Sequence, residues 1–215
     1  MKRDGSLAHH VPPSNTIEYQ YRGSAGIIPL RNSADRFGPV AQLLHWLIVL
    51  LVLGQFVVGF DAKPLPVGIE RLKMLTFHKS LGITVFALVI LRLLWRLYTP
   101  APKLPMGMKP YERLGAHMSH VSLYALLLLL PVLGWLTSNA SNLTVRWFFT
   151  FNLPNLTGPD PWLANLTKHL HDFGAWLLLV VVCLHVAAAF WHELVRKDGV
   201  LRRMLPLWML SPEDR

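Results

Sequence analysis

Charge is scarce in this chain, cysteine is nearly absent, and acidic side chains are missing from its long apolar runs. Of the 215 residues, Asp, Glu, Lys and Arg make up 15%, against roughly 25% in ordinary soluble domains. The deficit is concentrated in four segments, near residues 40–60, 74–97, 114–138 and 168–193. Each approaches or exceeds the roughly 20 apolar residues that a membrane-crossing helix requires. The pattern excludes a soluble globular fold and predicts an all-α protein, an integral membrane four-helix bundle forming one domain. Cys183, the single cysteine, falls inside the fourth segment, so no intrachain disulfide can form. Asp and Glu are absent from the interiors of the segments. That argues against a histidine-lined metal transporter, whose ion path would pair carboxylates with the imidazoles.

What charge there is is basic, with a formal net of +9. Its distribution, rather than its size, identifies the cause. One side of the predicted bundle would hold Lys2, Arg3, Arg22, Arg31, Arg36, Arg96, Lys103, Lys109, Arg113, Arg196, Lys197, Arg202, Arg203 and Arg215. The other would hold only Lys63, Arg71, Lys73, Lys79, Arg146 and Lys168. The positive-inside rule then predicts both termini in the cytoplasm, and the basicity needs no nucleic-acid partner. Residues 1–35 are polar, lack the apolar run of a signal peptide, and are expected to form a mobile cytoplasmic tail. Residues 207–215 are expected to be a short C-terminal tail. The stretch Trp147-Phe148-Phe149-Thr150-Phe151, in a long loop expected over 139–167, reads as an interfacial aromatic belt.

Ten histidines remain to be explained. His171 and His185 lie fourteen residues apart on one segment. At about 100° and 1.5 Å per residue, they share a helix face and stand roughly 21 Å apart. In a hydrocarbon core about 30 Å thick, one lies toward each side. Imidazoles inside a membrane bundle are costly and mark function, and the cofactor that accepts two facing imidazoles in an apolar slot is haem. No C-x-x-C-H motif is present, which excludes covalent c-type attachment. Position selects four ligands. His45 lies near the start of the first segment and matches the depth of His185, while His78 opens the second and matches His171. The expectation is two bis-histidine b haems, an inner one held by His45 and His185 and an outer one by His78 and His171. The aromatic stretch at 147–151 then has a second reading, as a lid resting over the outer haem.

The remaining candidates play secondary parts in this reading. His169 is offset by about 160° from His185 and faces away. His117 and His120 share a face at the inner end of the third segment, and His192 lies beside Glu193 at the water interface. These three read as interfacial polar residues, or as groups that hydrogen-bond a haem propionate or pass protons to a quinone. Arg92 lies deep enough to need an anionic partner, and a propionate of the inner haem suits a bidentate guanidinium. Arg96, one turn shallower, either snorkels to headgroups or joins the same site. Lys79 could serve the outer haem. Gly54, Gly82, Gly134 and Gly174 are candidates for positions against a flat porphyrin.

Several of these residues sit in motifs that resemble a known family. Leu44-His45-Trp46, Phe77-His78-Lys79-Ser80-Leu81-Gly82, Ile90-Leu91-Arg92-Leu93-Leu94-Trp95-Arg96, Ala116-His117-Met118-Ser119-His120, Leu184-His185-Val186-Ala187-Ala188-Ala189 and the tail Lys197-Asp198-Gly199-Val200-Leu201-Arg202-Arg203-Met204 are similar to the bacterial cytochrome b561 family. The likeness covers residues 36–206, and the polar extension before it departs from the compact members. The resemblance implies a multi-pass protein of the bacterial inner membrane with two non-covalent b haems. Their axial ligands would be the residues matching His45, His78, His171 and His185. It also implies electron exchange with the quinone pool, ubiquinone being a candidate second ligand, with one branch acting as a superoxide:ubiquinone oxidoreductase. Other relatives are cytochrome b subunits between a partner dehydrogenase or hydrogenase and quinone. The expected function is therefore transmembrane electron transfer, with the subunit role as the alternative. Two axial imidazoles leave no open coordination position, so any small-molecule chemistry would be outer-sphere.

Overall fold

In a computed structural model of the chain, residues 30–105, 107–206 and 209 are described. Of the tail expected over 1–35, residues 1–29 lie outside them, as do residues 207–215 apart from Met209. The architecture is all-α. Four long helices follow one another: α1 (Pro39–Ala62), α2 (Ile69–Tyr98), α3 (Pro110–Ala140) and α4 (Pro161–Trp191), with a two-residue hairpin of β1 (Arg146–Trp147) and β2 (Phe151–Asn152) between α3 and α4. All four are long and apolar enough to cross a membrane.

Local chemistry sets where each helix begins. Pro39, Pro110 and Pro161 stand in the first turns, where a missing N–H costs nothing and φ is already helical. Asp160 caps α4 by accepting from Leu163 N. Lys109 N donates to Glu112 at 2.8 Å, closing the first turn of α3. The helices run beyond the apolar segments; α4 begins seven residues before the expected 168 and α2 five before 74. Hydropathy marks only the part that needs lipid, whereas a helix continues into water until a cap or proline stops it. The long loop accordingly shrinks to 141–160. Pro131 lies inside α3 without ending it.

The faces follow from the same apolar excess. Only 11–28% of the most apolar window in each span is buried within the bundle. Leu43, Leu47, Leu50, Leu53 and Val57 form an exposed stripe along α1. In water such a stripe would be an aggregation hazard; against acyl chains it is the outer surface of a membrane protein.

Neighbouring helices pack antiparallel as α1/α2, α2/α3 and α3/α4. One cluster joins Ile48, Val52, Val85 and Val89. A second joins Leu126, Leu130, Leu133 and Leu178, with Phe56 and Leu127 packed against both. Gly174 lets α3 approach closely, since a Cβ there would stand 2.7 Å from Leu130 Cδ2, and Thr137 Oγ1 bonds Thr167 Oγ1 at 2.8 Å. Small residues and interhelical hydroxyl bonds are the means by which membrane helices associate. Helices α1 and α4 approach each other less closely than these pairs, meeting through side chains such as Phe60 and Trp176.

Each end is covered differently. At the strap end, α4 passes through a single π-helical turn (His192–Arg196) and the chain folds back across the bundle. Phe37 N and Gln42 Nε2 donate to Arg203 O, and Trp46 Nε1 donates to Met204 O at 2.9 Å. Residues 31–36 join this cap: Asn32 donates to Thr99 O and Pro100 O, and Lys103 N donates to Ala34 O. The hairpin end is closed by β1 and β2.

Candidate functional site

Two pairs of imidazoles face each other at two depths of the bundle. His45 on α1 and His185 on α4 have ring centroids 6.5 Å apart, with planes at 71°. His78 on α2 and His171 on α4 have centroids 6.1 Å apart, at 70°. α4 therefore contributes to both pairs, and α1 and α2 to one each.

The separations bear on what could lie between the rings. A metal–imidazole bond is about 2 Å, and the ring centre lies about 1 Å farther on, so two imidazoles on opposite sides of one metal bring their centroids to about 6 Å. Both pairs meet that spacing. Among the described residues no set of three or more His, Cys, Asp or Glu side chains gathers as a cation cage. The donor arrangement is thus a pair of opposed imidazoles in apolar surroundings, which suits haem.

The cleft at the hairpin-end pair fits a flat apolar group. Val52, Phe56, Val85, Leu127, Leu130 and Leu178 supply its walls, with Gly82 and Gly134 at its edges. A Cβ at Gly134 would stand 3.4 Å from His171 Cδ2. Behind His78, a Cβ at Gly59 would stand 3.1 Å from Cε1 and 3.4 Å from Nδ1. The ring therefore backs onto α1, with Nδ1 enclosed. Its Nε2 edge is the one left for the cleft. Gly82 and Gly134 border the cleft as the sequence suggested, whereas Gly54 faces Leu81 and Gly174 faces Leu130. Those two are helix-packing glycines, and Gly59 is the one that sequence reasoning missed. Gln55 also lines the cleft, with Oε1 enclosed and unpartnered.

The strap-end pair has a third imidazole beside it. His120 on α3 lies 5.5 Å from His185, shorter than the spacing across a metal. It is half-buried, not a surface residue, while its helical neighbour His117 is exposed. Arg92 is half-buried; its Nη1 donates to Ala41 O at 2.8 Å and its Nε to Tyr124 Oη at 3.2 Å. The guanidinium thus ties α2 to α1 and α3 one turn from His45. Arg96 is exposed. Lys79 lines the hairpin-end cleft, and His169 is exposed. His192, expected at the water interface, is 8% exposed and its Nδ1 lies 2.7 Å from Asp198 Oδ2.

The aromatic loop docks on α2 instead of lying free. Ser80, fully buried, accepts from Phe148 N at 2.8 Å, and its hydroxyl faces Thr76 O at 2.7 Å and Arg146 O at 3.1 Å. Trp147 Nε1 donates to Thr84 Oγ1 at 3.1 Å. Val145, 1% exposed, lines the cleft directly. The turn itself is strained. Phe148 and Phe149 have φ of 42° and 62°, left-handed values that bulky residues rarely adopt. The stretch is thus held against α2, while Phe149 and Phe151 stay exposed, as an interfacial aromatic belt requires.

Known proteins resemble the chain across most of its length. Residues 36–207 match the family described as prokaryotic cytochrome b561. Cytochrome b561 homolog 2 of Escherichia coli is 31% identical over 176 residues, covering 81% of this chain and 93% of that protein. Cytochrome b561 homolog 1 of the same organism is 28% identical over 174 residues, covering 80% and 98%. A protein of Yersinia pestis named probable superoxide oxidase CybB is 30% identical over 166 residues, covering 76% and 92%.

Proposed function

The chain belongs to the prokaryotic cytochrome b561 family, and from that membership we propose that it carries electrons across the bacterial plasma membrane through two non-covalent b haems. His45 and His185 hold one, and His78 and His171 hold the other. The observation that carries this reading is the pair of centroid separations, 6.5 and 6.1 Å, at two depths of one bundle. His120, at 5.5 Å from His185, stands beside the strap-end site and is not an axial ligand.

Haem, when bound, supplies one-electron iron chemistry. The protein's own residues do the rest. The imidazole pairs fix position and tilt, and the leucine and valine walls exclude water and ions from the space between the two sites. Arg92, with its Nη2 bonded to no described residue, is placed to meet a carboxylate of the strap-end group; Lys79 is placed to do so at the hairpin end. Arg96 and His117, both exposed, frame the mouth of the strap-end site. The excess of Lys and Arg at the strap end supports a cytoplasmic location for that end.

Quinone is the proposed partner at one end and a one-electron donor at the other. The Yersinia relative's name supports superoxide as that donor. Haem held by two imidazoles would supply one-electron chemistry without a free position for superoxide to bind. The test is haem per polypeptide and reduced-minus-oxidised spectra for wild type and His185→Ala. Two haems falling to one is the expected result; a colourless protein, or an undiminished variant, overturns it. Turnover of superoxide and ubiquinone by the isolated protein separates a free-standing oxidoreductase from a subunit that needs a partner dehydrogenase.

A further inference from the structure

The end of α4 carries a buried histidine–aspartate pair that electron transfer alone does not require. The helix passes through the π-helical turn His192–Arg196, and Lys197 adopts φ 52°. The chain then reverses and brings Asp198 back over the helix end. Its Oδ2 meets His192 Nδ1 at 2.7 Å, Val200 N donates to Oδ1 at 3.4 Å, and Asp198 N donates to His192 O at 3.3 Å. The side chains are 10% and 16% exposed.

Three features point to proton exchange more than to a simple cap. First, a carboxylate at a helix C-terminus opposes the helix dipole, and two acids, Glu193 and Asp198, lie there. Glu193 is compensated by Arg202, and Glu112 of α3 by Arg196 at 3.5 Å. The ion-pair partner of Asp198 is the imidazole. Second, with Nδ1 committed to the carboxylate, Nε2 is the atom left to take up or release a proton. It bonds to no described side chain and is not among the fully enclosed polar atoms. A carboxylate-backed imidazole with a free Nε2 is the arrangement of a general acid–base. Third, His192 is seven residues from His185, on nearly the same face of the helix and about 10 Å farther toward the strap end. It therefore lies on the strap-end side of His185. The charged groups around the pair are Glu193, Arg196 and Lys197 on its own segment, Glu112 on α3 and Arg202 on the strap.

We propose that His192 and Asp198 form the proton-exchange site for a quinone reacting at the strap end. Quinone takes up two electrons, one at a time, and two protons to become quinol. The electrons come from the one-electron donor by way of the bundle, and the protons come from the aqueous phase through His192 Nε2. In quinol oxidation the same atom accepts the protons. The inference rests on the quinone reading above.

The experiment uses the full-length, haem-loaded protein with decylubiquinol as reductant and ferricyanide as a proton-free oxidant. Asp198→Asn keeps an oxygen for Nδ1–H but removes the charge, and His192→Asn removes the exchanging atom. Both are expected to keep haem content and spectrum. Haem reduction by decylubiquinol should slow by about a hundredfold or more, the lower side of what a positioned acid–base contributes, and the shape of its pH profile should change. Oxidation of the reduced protein by ferricyanide should remain at the wild-type rate. Unchanged quinol rates across pH would overturn the proposal, as would quinol and ferricyanide rates that fall together. A wild-type protein that decylubiquinol does not reduce removes the quinone reading itself, an outcome distinct from failure of the pair alone.

Discussion

Ser80→Ala should release the hairpin from α2 while leaving the four helices intact. Ser80 is fully buried, and its Oγ accepts the Phe148 amide at 2.8 Å. Alanine leaves that N–H enclosed without a partner, at a cost of about 1–3 kcal/mol. The turn has little reserve against the loss. Left-handed φ at Phe148 and Phe149 costs about 1–3 kcal/mol per residue and persists only where the surroundings over-determine it. What remains is the Trp147–Thr84 hydrogen bond and the Phe77–Phe148 edge contact. A loss of about 2 kcal/mol corresponds to roughly a 30-fold shift toward the undocked hairpin, since 1.4 kcal/mol is tenfold at 25 °C. Native-state hydrogen exchange reads such local openings. Amides of residues 145–153 should lose about 30-fold in protection, with helix amides unchanged. Phe149→Gly, which relieves the left-handed strain, should move protection the other way. Undiminished protection in Ser80→Ala would refute the claim that this hydroxyl anchors the hairpin.

Further outcomes follow from the same geometry. Gly59→Val should press on the His78 ring, 3.1 Å from a Cβ at that position. The haem-to-polypeptide ratio should fall to about half that of the wild type, because one of the two opposed imidazole pairs is lost. Gly174→Ala should lower the unfolding midpoint in detergent by an overpacking cost of about 1–3 kcal/mol, and that cost should shrink when the same change is made in a Leu130→Ala background, because the clash is with Leu130 Cδ2. Arg92→Leu removes a cation one turn from His45, so a redox titration should show a lowered midpoint for the strap-end haem and little change in the other. Arg92→Lys should restore charge but not the paired bonds to Ala41 and Tyr124.

Much of the plan was legible one-dimensionally because the membrane simplifies the problem. A helix must satisfy its own backbone in lipid, so four apolar runs mean four helices. The helix period then places His171 and His185 on one face at two depths without any knowledge of packing. Successive spans must alternate in direction to recross the bilayer, and the short link between α1 and α2 makes that pair antiparallel neighbours. Helix ends were less legible, since hydropathy reports contact with lipid and the first turns of α2, α3 and α4 are helical in water. The glycines separated only in three dimensions. Gly59 and Gly134 back onto imidazoles, while Gly54 and Gly174 serve helix contacts, and a bare Cα has the same one-letter code in both settings.

By itself the sequence determined the fold class, the number of spans and the two depths of His171 and His185, because these depend on local periodicity and on the cost of polar groups in hydrocarbon. Tertiary structure alone decided which side chains meet across the bundle. It brought His120 beside His185, set Ser80 under the aromatic turn, and folded Asp198 back onto His192. Each of those contacts depends on the relative rotation of two helices or on a chain reversal beyond a helix end. Such quantities are set by how neighbouring surfaces interlock, and no stretch of sequence carries them on its own.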